Sequence, residues 1–326
     1  MKAFALVLLL LPGFAFAQAP QAQAHPQDAS AWLKKIYLAS QKLSYSGTFV
    51  YRQGERSESS RITRIIDGAS DTEKLEALDG IRREIVRSGD EVRCYLPEDK
   101  IVKVDRRSKH PTFPALLPAQ NAALSGHYAI SKEETARIAG YECQAIALKP
   151  KDELRYGYKL WADLGTGMLL KARVLNEKGE AVEEFTFTQL TIGGNIEKDM
   201  VKSSFAGESR QWRVENAGVV RADLAKSGWT VNAAIPGFQR VIEVNRLLRP
   251  AQRVSQMVYS DGLAAISIFI EAIEPRQEAA RLGLSSMGAV NIYSRELAKH
   301  VVTVVGEAPA KTVQQLGDAV AYHRPQ

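Results

Sequence analysis

Residues 156–192 read YGYKLWADLGTGMLLKARVLNEKGEAVEEFTFTQLTI, and their period of two decides the fold. Tyr156, Tyr158 and Leu160 fall on one face of a first run, Tyr156–Ala162. Gly165-Thr166-Gly167 turns the chain, and Met168, Leu170, Ala172 and Val174 share a face of the second run, Met168–Leu175. Lys178-Gly179 turns it again, and Phe185 and Phe187 share a face of the third, Ala181–Ile192. Alternating runs joined by short glycine-bearing turns predict consecutive antiparallel strands.

The same pattern extends toward the N-terminus. Thr48–Arg52 places Phe49 and Tyr51 on one side. Arg61–Ile66 follows, and Ile81–Arg87 ends at the turn Ser88-Gly89-Asp90. Glu91–Leu96 and Lys100–Val104 are joined by Pro97-Glu98-Asp99, and a proline-rich segment from Lys109 to Pro118 predicts a loop. Tyr128–Ile138 and Tyr141–Leu148 complete the set. Before all of them a helix is expected from Asp28 or Ser30, either of which can cap it, with Trp32, Ile36, Ala39 and Leu43 on one face. One helix ahead of evenly spaced strands predicts a curved antiparallel sheet or half-open β-barrel in an α+β domain.

Composition changes near 205–225, where Ser203-Ser204, Gly207, Asn216 and Gly218 predict a linker. The expected layout is a barrel domain over 28–205, a linker over 206–225 and a small α+β domain over 226–326. In that last unit Trp229–Ala233 and Val241–Val244 flank Pro236-Gly237. Ser255–Tyr259 and Leu263–Ile270 flank the hairpin turn Ser260-Asp261-Gly262. Val290–Tyr293 and His300–Gly306 continue the sheet, and a helix over Lys311–Tyr322, led by Pro309, presents Val313, Leu316 and Val320. A chain of 326 residues exceeds the roughly 250–300 that one core supports, so two domains are expected on length as well.

The start of the chain predicts export. Met1 and Lys2 precede an apolar run, Ala3–Phe16, and Ala15-Phe16-Ala17 is a small-x-small cleavage signal, so residues 1–17 read as a signal peptide. The run is shorter than the roughly 20 residues of a spanning helix, and Pro12-Gly13 interrupts it. No cysteine near the cleavage site points to lipoprotein acylation, and no later stretch reads as a membrane span. The net charge of +6 is mixed in sign along the chain, which suits anionic partners and does not suggest nucleic-acid binding. In an oxidising compartment Cys94 and Cys143, the two cysteines, are expected to form a disulfide; two buried thiols are the alternative. The five histidines are scattered without metal-ligand spacing, so no metal and no cofactor are expected.

Catalytic signatures are missing. G-x-S-x-G, H-E-x-x-H, a P-loop and a strand-following G-x-G-x-x-G do not occur, and the expectation is a binding protein rather than an enzyme. The strands instead carry more apolar side chains than one plain core requires. Phe49, Tyr51, Tyr158, Leu160, Leu170, Phe185 and Phe187 are candidates to line an acyl-chain cavity, with Arg82, Arg83 and Arg87 at its rim to meet phosphate. Arg240, Arg246, Arg249 and Arg253, with Tyr259 and Asp261, form a second, partner-binding candidate set. A plain core and a solvated basic surface are the competing readings.

Several segments resemble one family. Asp79-Gly80-Ile81-Arg82-Arg83-Glu84-Ile85-Val86, Tyr259-Ser260-Asp261-Gly262-Leu263 and Val304-Val305-Gly306-Glu307 are similar to motifs of the RseB/MucB regulators. Trp161-Ala162-Asp163 through Thr166-Gly167-Met168-Leu169-Leu170 resembles a strand-turn-strand shared with LolA/LolB lipoprotein carriers. The resemblance implies a periplasmic protein that binds the periplasmic part of a membrane anti-sigma factor of the RseA or MucA type. It further implies shielding of that factor from regulated proteolysis and release on sensing lipopolysaccharide or mislocalised lipoprotein, with control of alginate production in MucB-bearing organisms. A LolA/LolB-type carrier of lipid or lipoprotein is the alternative, and self-association stays open.

Overall fold

A computed structural model describes residues 26–68, 70–106, 117, 122–216, 218–232, 235–249, 252–273 and 282–324. The expected signal peptide and most of the proline-rich loop lie outside the described residues. Helix α1 spans Pro26–Lys42. Its first six strands are β1 (Tyr45–Gln53), β2 (Arg56–Asp67), β3 (Ser70–Ala77), β4 (Glu84–Ser88), β5 (Glu91–Leu96) and β6 (Ile101–Arg106). A short helix α2 (Ala122–His127) leads into β7 (Tyr128–Ile138), β8 (Tyr141–Pro150), β9 (Gly157–Asp163), β10 (Leu169–Leu175) and β11 (Ala181–Ile192). Strand β12 (Arg213–Asn216) closes the set.

These twelve strands form one open sheet, ordered β12-β6-β5-β4-β3-β2-β1-β11-β10-β9-β8-β7. Two meanders, β1–β6 and β7–β11, are joined where the first strand pairs with the eleventh, Tyr45 opposite Ile192. A bulge lies between Thr48 and Phe49 beside Gly47. A Cβ on Gly47 would sit 2.6 Å from the Gln189 carbonyl oxygen, so only glycine lets β1 and β11 approach there. The sheet curls: the Tyr141 hydroxyl on β8 donates to the Leu190 carbonyl of β11 over 3.1 Å, reaching across two intervening strands. Helix α1 fills the curve with Ala29, Leu33, Ile36 and Ala39, all buried. Leu33, which the helical pattern overlooked, is fully buried.

A second sheet follows, ordered β13 (Val220–Arg221), β15 (Gln239–Arg249), β16 (Gln252–Ser260), β17 (Ala265–Ala272), β20 (His300–Gly306), β19 (Val290–Leu297) and β18 (Gly283–Met287). Helix α3 (Ala310–Asp318) packs Val313 and Leu316 onto its core with Ile266, Ile268, Val302 and Val304. A small pair, β14 (Trp229–Val231) with β21 (Val320–Tyr322), covers one end. The architecture is therefore α+β, an open curved sheet around one helix plus a smaller sheet carrying another.

Several boundaries differ from expectation. β3 reads SDTEKLEA and shows no apolar alternation, because its inward positions include Glu73 as well as Leu75. The strand expected from Ile81 begins at Glu84; Ile81 is 71% exposed in the preceding turn. α1 begins at Pro26, where a proline needs no amide partner. The last helix ends at Asp318, and Val320 belongs to β21. Within 205–225, β12 adds to the first sheet parallel to β6, β13 adds to the second, and Phe205 packs against Tyr95 and Val102.

The expected disulfide is absent. Cys94 and Cys143 are both free thiols. Cys94 lies on β5 and Cys143 on β8, and seven strands of the sheet stand between them. Strands about 4.8 Å apart carry the two sulfurs far beyond bonding range, even on a curved sheet.

Candidate functional site

The seven candidate cavity residues do meet. Phe49, Phe185 and Phe187 contact one another edge-on at 5.8–6.5 Å between ring centres. Tyr158, Leu160 and Leu170 are buried in the same cluster, and Tyr51 packs against it half-buried. Leu33 and Ile36 of α1, with Leu117 and Leu124, complete a packed core. In this conformation the ensemble is thus a helix-filled core rather than an open groove. A recess of about 430 Å³ lies instead between β2–β5 and residues 198–206, lined by Ile65, Val86, Tyr95 and Val201 with Lys198 and Lys202.

Beside the aromatic core runs a buried polar row. Tyr45, Arg64, Glu73 and Arg87 stand opposite one another on β1, β2, β3 and β4. Arg64 grips Asp71 with two bonds of 2.8 and 3.0 Å and also donates to the Ser40 carbonyl at the end of α1. Arg87 pairs with Glu73, whose side chain is 4% exposed. The rim role expected of Arg87 is therefore corrected: its charge is turned inward and matched by a carboxylate. Arg83 reaches Glu58 on the surface at 3.3 Å, and the Arg82 guanidinium lies 5.3 Å from the Phe205 ring centre. The three arginines do not converge.

The partner set is also divided. Arg240 pairs with Glu243 at 3.2 Å, and Arg253 is exposed. Arg246 crosses to Asp105 of the first sheet at 3.7 Å. The Arg249 side chain lies outside the described residues. Tyr259 packs half-buried against the second core. Asp261 is not an open contact, and that expectation is corrected: its carboxylate is buried and faces the first sheet.

What Asp261 meets was not legible in advance. Arg155, in the connection between β8 and β9, is 1% exposed. Its Nη1 donates to Asp261 Oδ2 at 2.8 Å and its Nε to Asp152 Oδ1 at 3.0 Å, while Nη2 donates to the Pro236 carbonyl over 2.5 Å. The Tyr128 hydroxyl donates to the same Asp261 oxygen at 3.0 Å. Asp261 Oδ1 accepts the amides of Leu263 and Ala264, each at 2.9 Å, which fixes the hairpin. The neighbouring side chains exchange cores: Leu263 packs against the first and Leu154 against the second. Asn291 donates to the Tyr156 hydroxyl at 2.9 Å, and Thr312 to the Leu154 carbonyl at 3.0 Å. Nearby Glu307 is exposed as a residue, although protein surrounds its carboxyl. Desolvation by the surrounding protein, and then the charge of Glu183, push its carboxyl up to about 7.

Comparison with known proteins fits this two-part geometry. Residues 28–205 match the MucB/RseB N-terminal domain, and residues 223–321 match the MucB/RseB C-terminal domain. The chain belongs to the MucB/RseB family. It is 33% identical over 320 residues to the sigma factor AlgU regulatory protein MucB of Pseudomonas aeruginosa, covering 95% of each chain. It is 26% identical over 296 residues to the sigma-E factor regulatory protein RseB of Escherichia coli K12, covering 90% of this chain and 91% of that one. Among solved structures, MucB in complex with MucA(peri) superposes with a TM-score of 0.69 at 27% identity, covering 91% of this chain and 99% of that one. The Pseudomonas aeruginosa MucA/MucB complex gives 0.70 at 28% identity, with the same coverage.

The motifs quoted for this family have physical roles here. In the Trp161–Leu170 segment, Asp163 Oδ2 accepts the Thr166 amide and hydroxyl, both at 2.7 Å, and Gly167 takes φ +79°. Lys35 of α1 then donates to the Leu164 carbonyl at 2.6 Å, tying the helix to that turn. The Tyr259–Leu263 segment supplies Asp261 and Leu263 to the junction.

Proposed function

We propose that this protein acts in the periplasm as a regulator of an envelope-stress sigma factor. It binds the periplasmic part of a membrane anti-sigma factor of the RseA/MucA type and shields it from regulated proteolysis. It releases that segment when lipopolysaccharide or mislocalised lipoprotein binds. The observation that carries this reading is likeness to MucB along both halves, together with a MucB solved in complex with MucA(peri). Residues 1–17 give the export route as a signal peptide. We divide the exported chain into 28–205, 206–225 and 226–326, a division that first cleavage by dilute protease within 206–225 tests.

Acyl chains would enter among Phe49, Tyr51, Tyr158, Leu160, Leu170, Phe185 and Phe187, exchanging places with side chains of α1. Arg82 and Arg83 are the remaining candidates for a phosphate contact. Arg240, Arg246, Arg253 and Tyr259 are the candidate contacts for the anti-sigma segment. Co-purification with a tagged anti-sigma periplasmic segment tests the central claim, and failure to retain this protein at micromolar concentration overturns it. A LolA/LolB-type carrier predicts a different outcome: recovery of many lipoproteins from envelope extract and no anti-sigma factor. The second sheet, which a simple carrier does not need, favours the regulator.

A further inference from the structure

The buried charges Arg64, Glu73 and Glu84 find their partners within the first half, but Arg155 and Asp261 belong to different halves. Each is fully buried at the side chain. The pair is bonded at 2.8 Å and ringed by further donors and acceptors: Asp152, Tyr128, the Pro236 carbonyl and two hairpin amides. The Arg155 guanidinium also lies 5.2 Å from the Phe238 ring centre and 5.7 Å from that of Tyr128. A buried ion pair satisfied on every side tolerates one geometry and resists others, because a half-broken arrangement strands a charge out of water.

The pair is also wired to the interior of the first sheet. Tyr128 bonds Asp261 through its hydroxyl, and its ring meets Tyr158 edge-on at 6.2 Å between centres. Tyr158 belongs to the aromatic core, and its hydroxyl is buried with no hydrogen-bond partner among the described residues. A displacement of Tyr158 therefore reaches Asp261 through one intermediate side chain. Leu263, two residues from Asp261, packs into that same core.

We infer that Arg155 and Asp261 form a cross-brace that locks the two halves in one orientation, with Tyr128 relaying the state of the first core to it. The brace makes the molecule unfold and open as one unit. Its loss lets the halves shift against each other on their remaining contacts, among them Arg246–Asp105, Asn291–Tyr156 and Thr312–Leu154, while leaving each core intact. The inference is independent of any partner, so its test needs none.

The test compares the full chain with a double variant, Arg155→Met with Asp261→Leu, which removes both charges and strands neither. Tyr128→Phe and Asp261→Asn are the gentler variants. The intact protein is expected to melt in one calorimetric transition. The double variant is expected to melt in two and to show a larger radius of gyration by X-ray scattering. In Asp261→Asn, the Leu263 and Ala264 amides are expected to exchange hydrogen at least about tenfold faster, as the local opening they report becomes easier. A matched control, Arg64→Met with Asp71→Leu, alters a pair within the first sheet and is expected to lower stability without changing the scattering. Should the double variant fail to fold, the two gentler variants carry the test through the same readouts. A single transition, unchanged scattering and unchanged exchange in the folded variants would overturn the brace.

Discussion

At the scale of single residues, the chemistry of this protein lies in groups whose charge is displaced from its usual state. Glu307 is the clearest, with its carboxyl raised to about 7 and Glu183, Tyr51 and Tyr158 coupled to it electrostatically. A raised carboxyl favours the protonated form in the native state. Its contribution to stability is complete below the unfolded value near 4.5 and is lost as pH climbs through 7. Melting temperature is therefore expected to fall between pH 5 and pH 8, and Glu307→Gln is expected to flatten that decline. A variant curve parallel to the parent's would refute the assignment. Cys94 and Cys143 shift as well. Burial raises both, and it pushes the Cys143 thiol up to about 12 with Asp163 and Glu142 adding to it. Titration of the denatured, unreduced protein should find two thiols per chain, and the native protein should hide Cys143 from the reagent. Fewer than two in the denatured state would restore the disulfide.

At the scale of elements, helix α1 is what turns a curved sheet into a core. Leu33 is fully buried among the aromatic residues of the sheet, so Leu33→Ala leaves a cavity worth about 2–5 kcal/mol of stability, measurable by urea denaturation. A loss under about 1 kcal/mol would mean that the helix is not held there. The sequence made the strands near 45–53, 91–96 and 128–192 legible, through apolar alternation in most of them and through bounding turns such as Ser88-Gly89-Asp90 before β5. It did not reveal β3, whose inward positions include charge, and it extended β4 to Ile81, an apolar residue in a turn. The same limit hid the junction. Arg155 sits between two strands in a charged stretch, Lys151–Arg155, that reads as ordinary solvated loop. Only its distant partner, Asp261, explains its burial, and a pairing 106 residues apart leaves no local signal. The hairpin around Asp261 is legible as a turn, but nothing local in it tells a partner-facing acid from one that faces the first sheet.

At the scale of the whole molecule, two bodies with separate cores meet through buried polar bonds and the exchanged side chains of Leu154 and Leu263, and this bears on how the proposed regulator would answer lipid. The first core is packed, so an acyl chain must displace side chains to enter. Burying its methylenes returns about 0.8 kcal/mol each, enough over several carbons to offset a local rearrangement. If lipid enters as proposed, such a rearrangement would move Tyr158, hence Tyr128, hence the acid at the junction. If the anti-sigma segment binds across both halves in their braced orientation, lipid and segment are linked. Whatever factor lipid takes from segment affinity, the segment takes from lipid affinity. The measurement is affinity for an anti-sigma periplasmic peptide with and without saturating lipopolysaccharide, by calorimetric titration. Lipid is expected to weaken peptide binding to the intact protein. In the Arg155→Met, Asp261→Leu variant, each ligand is expected to bind with the same affinity whether or not the other is present. Equal peptide affinity with and without lipid in the intact protein would sink the linkage. Coupling of equal size in the variant would place its route somewhere other than the brace.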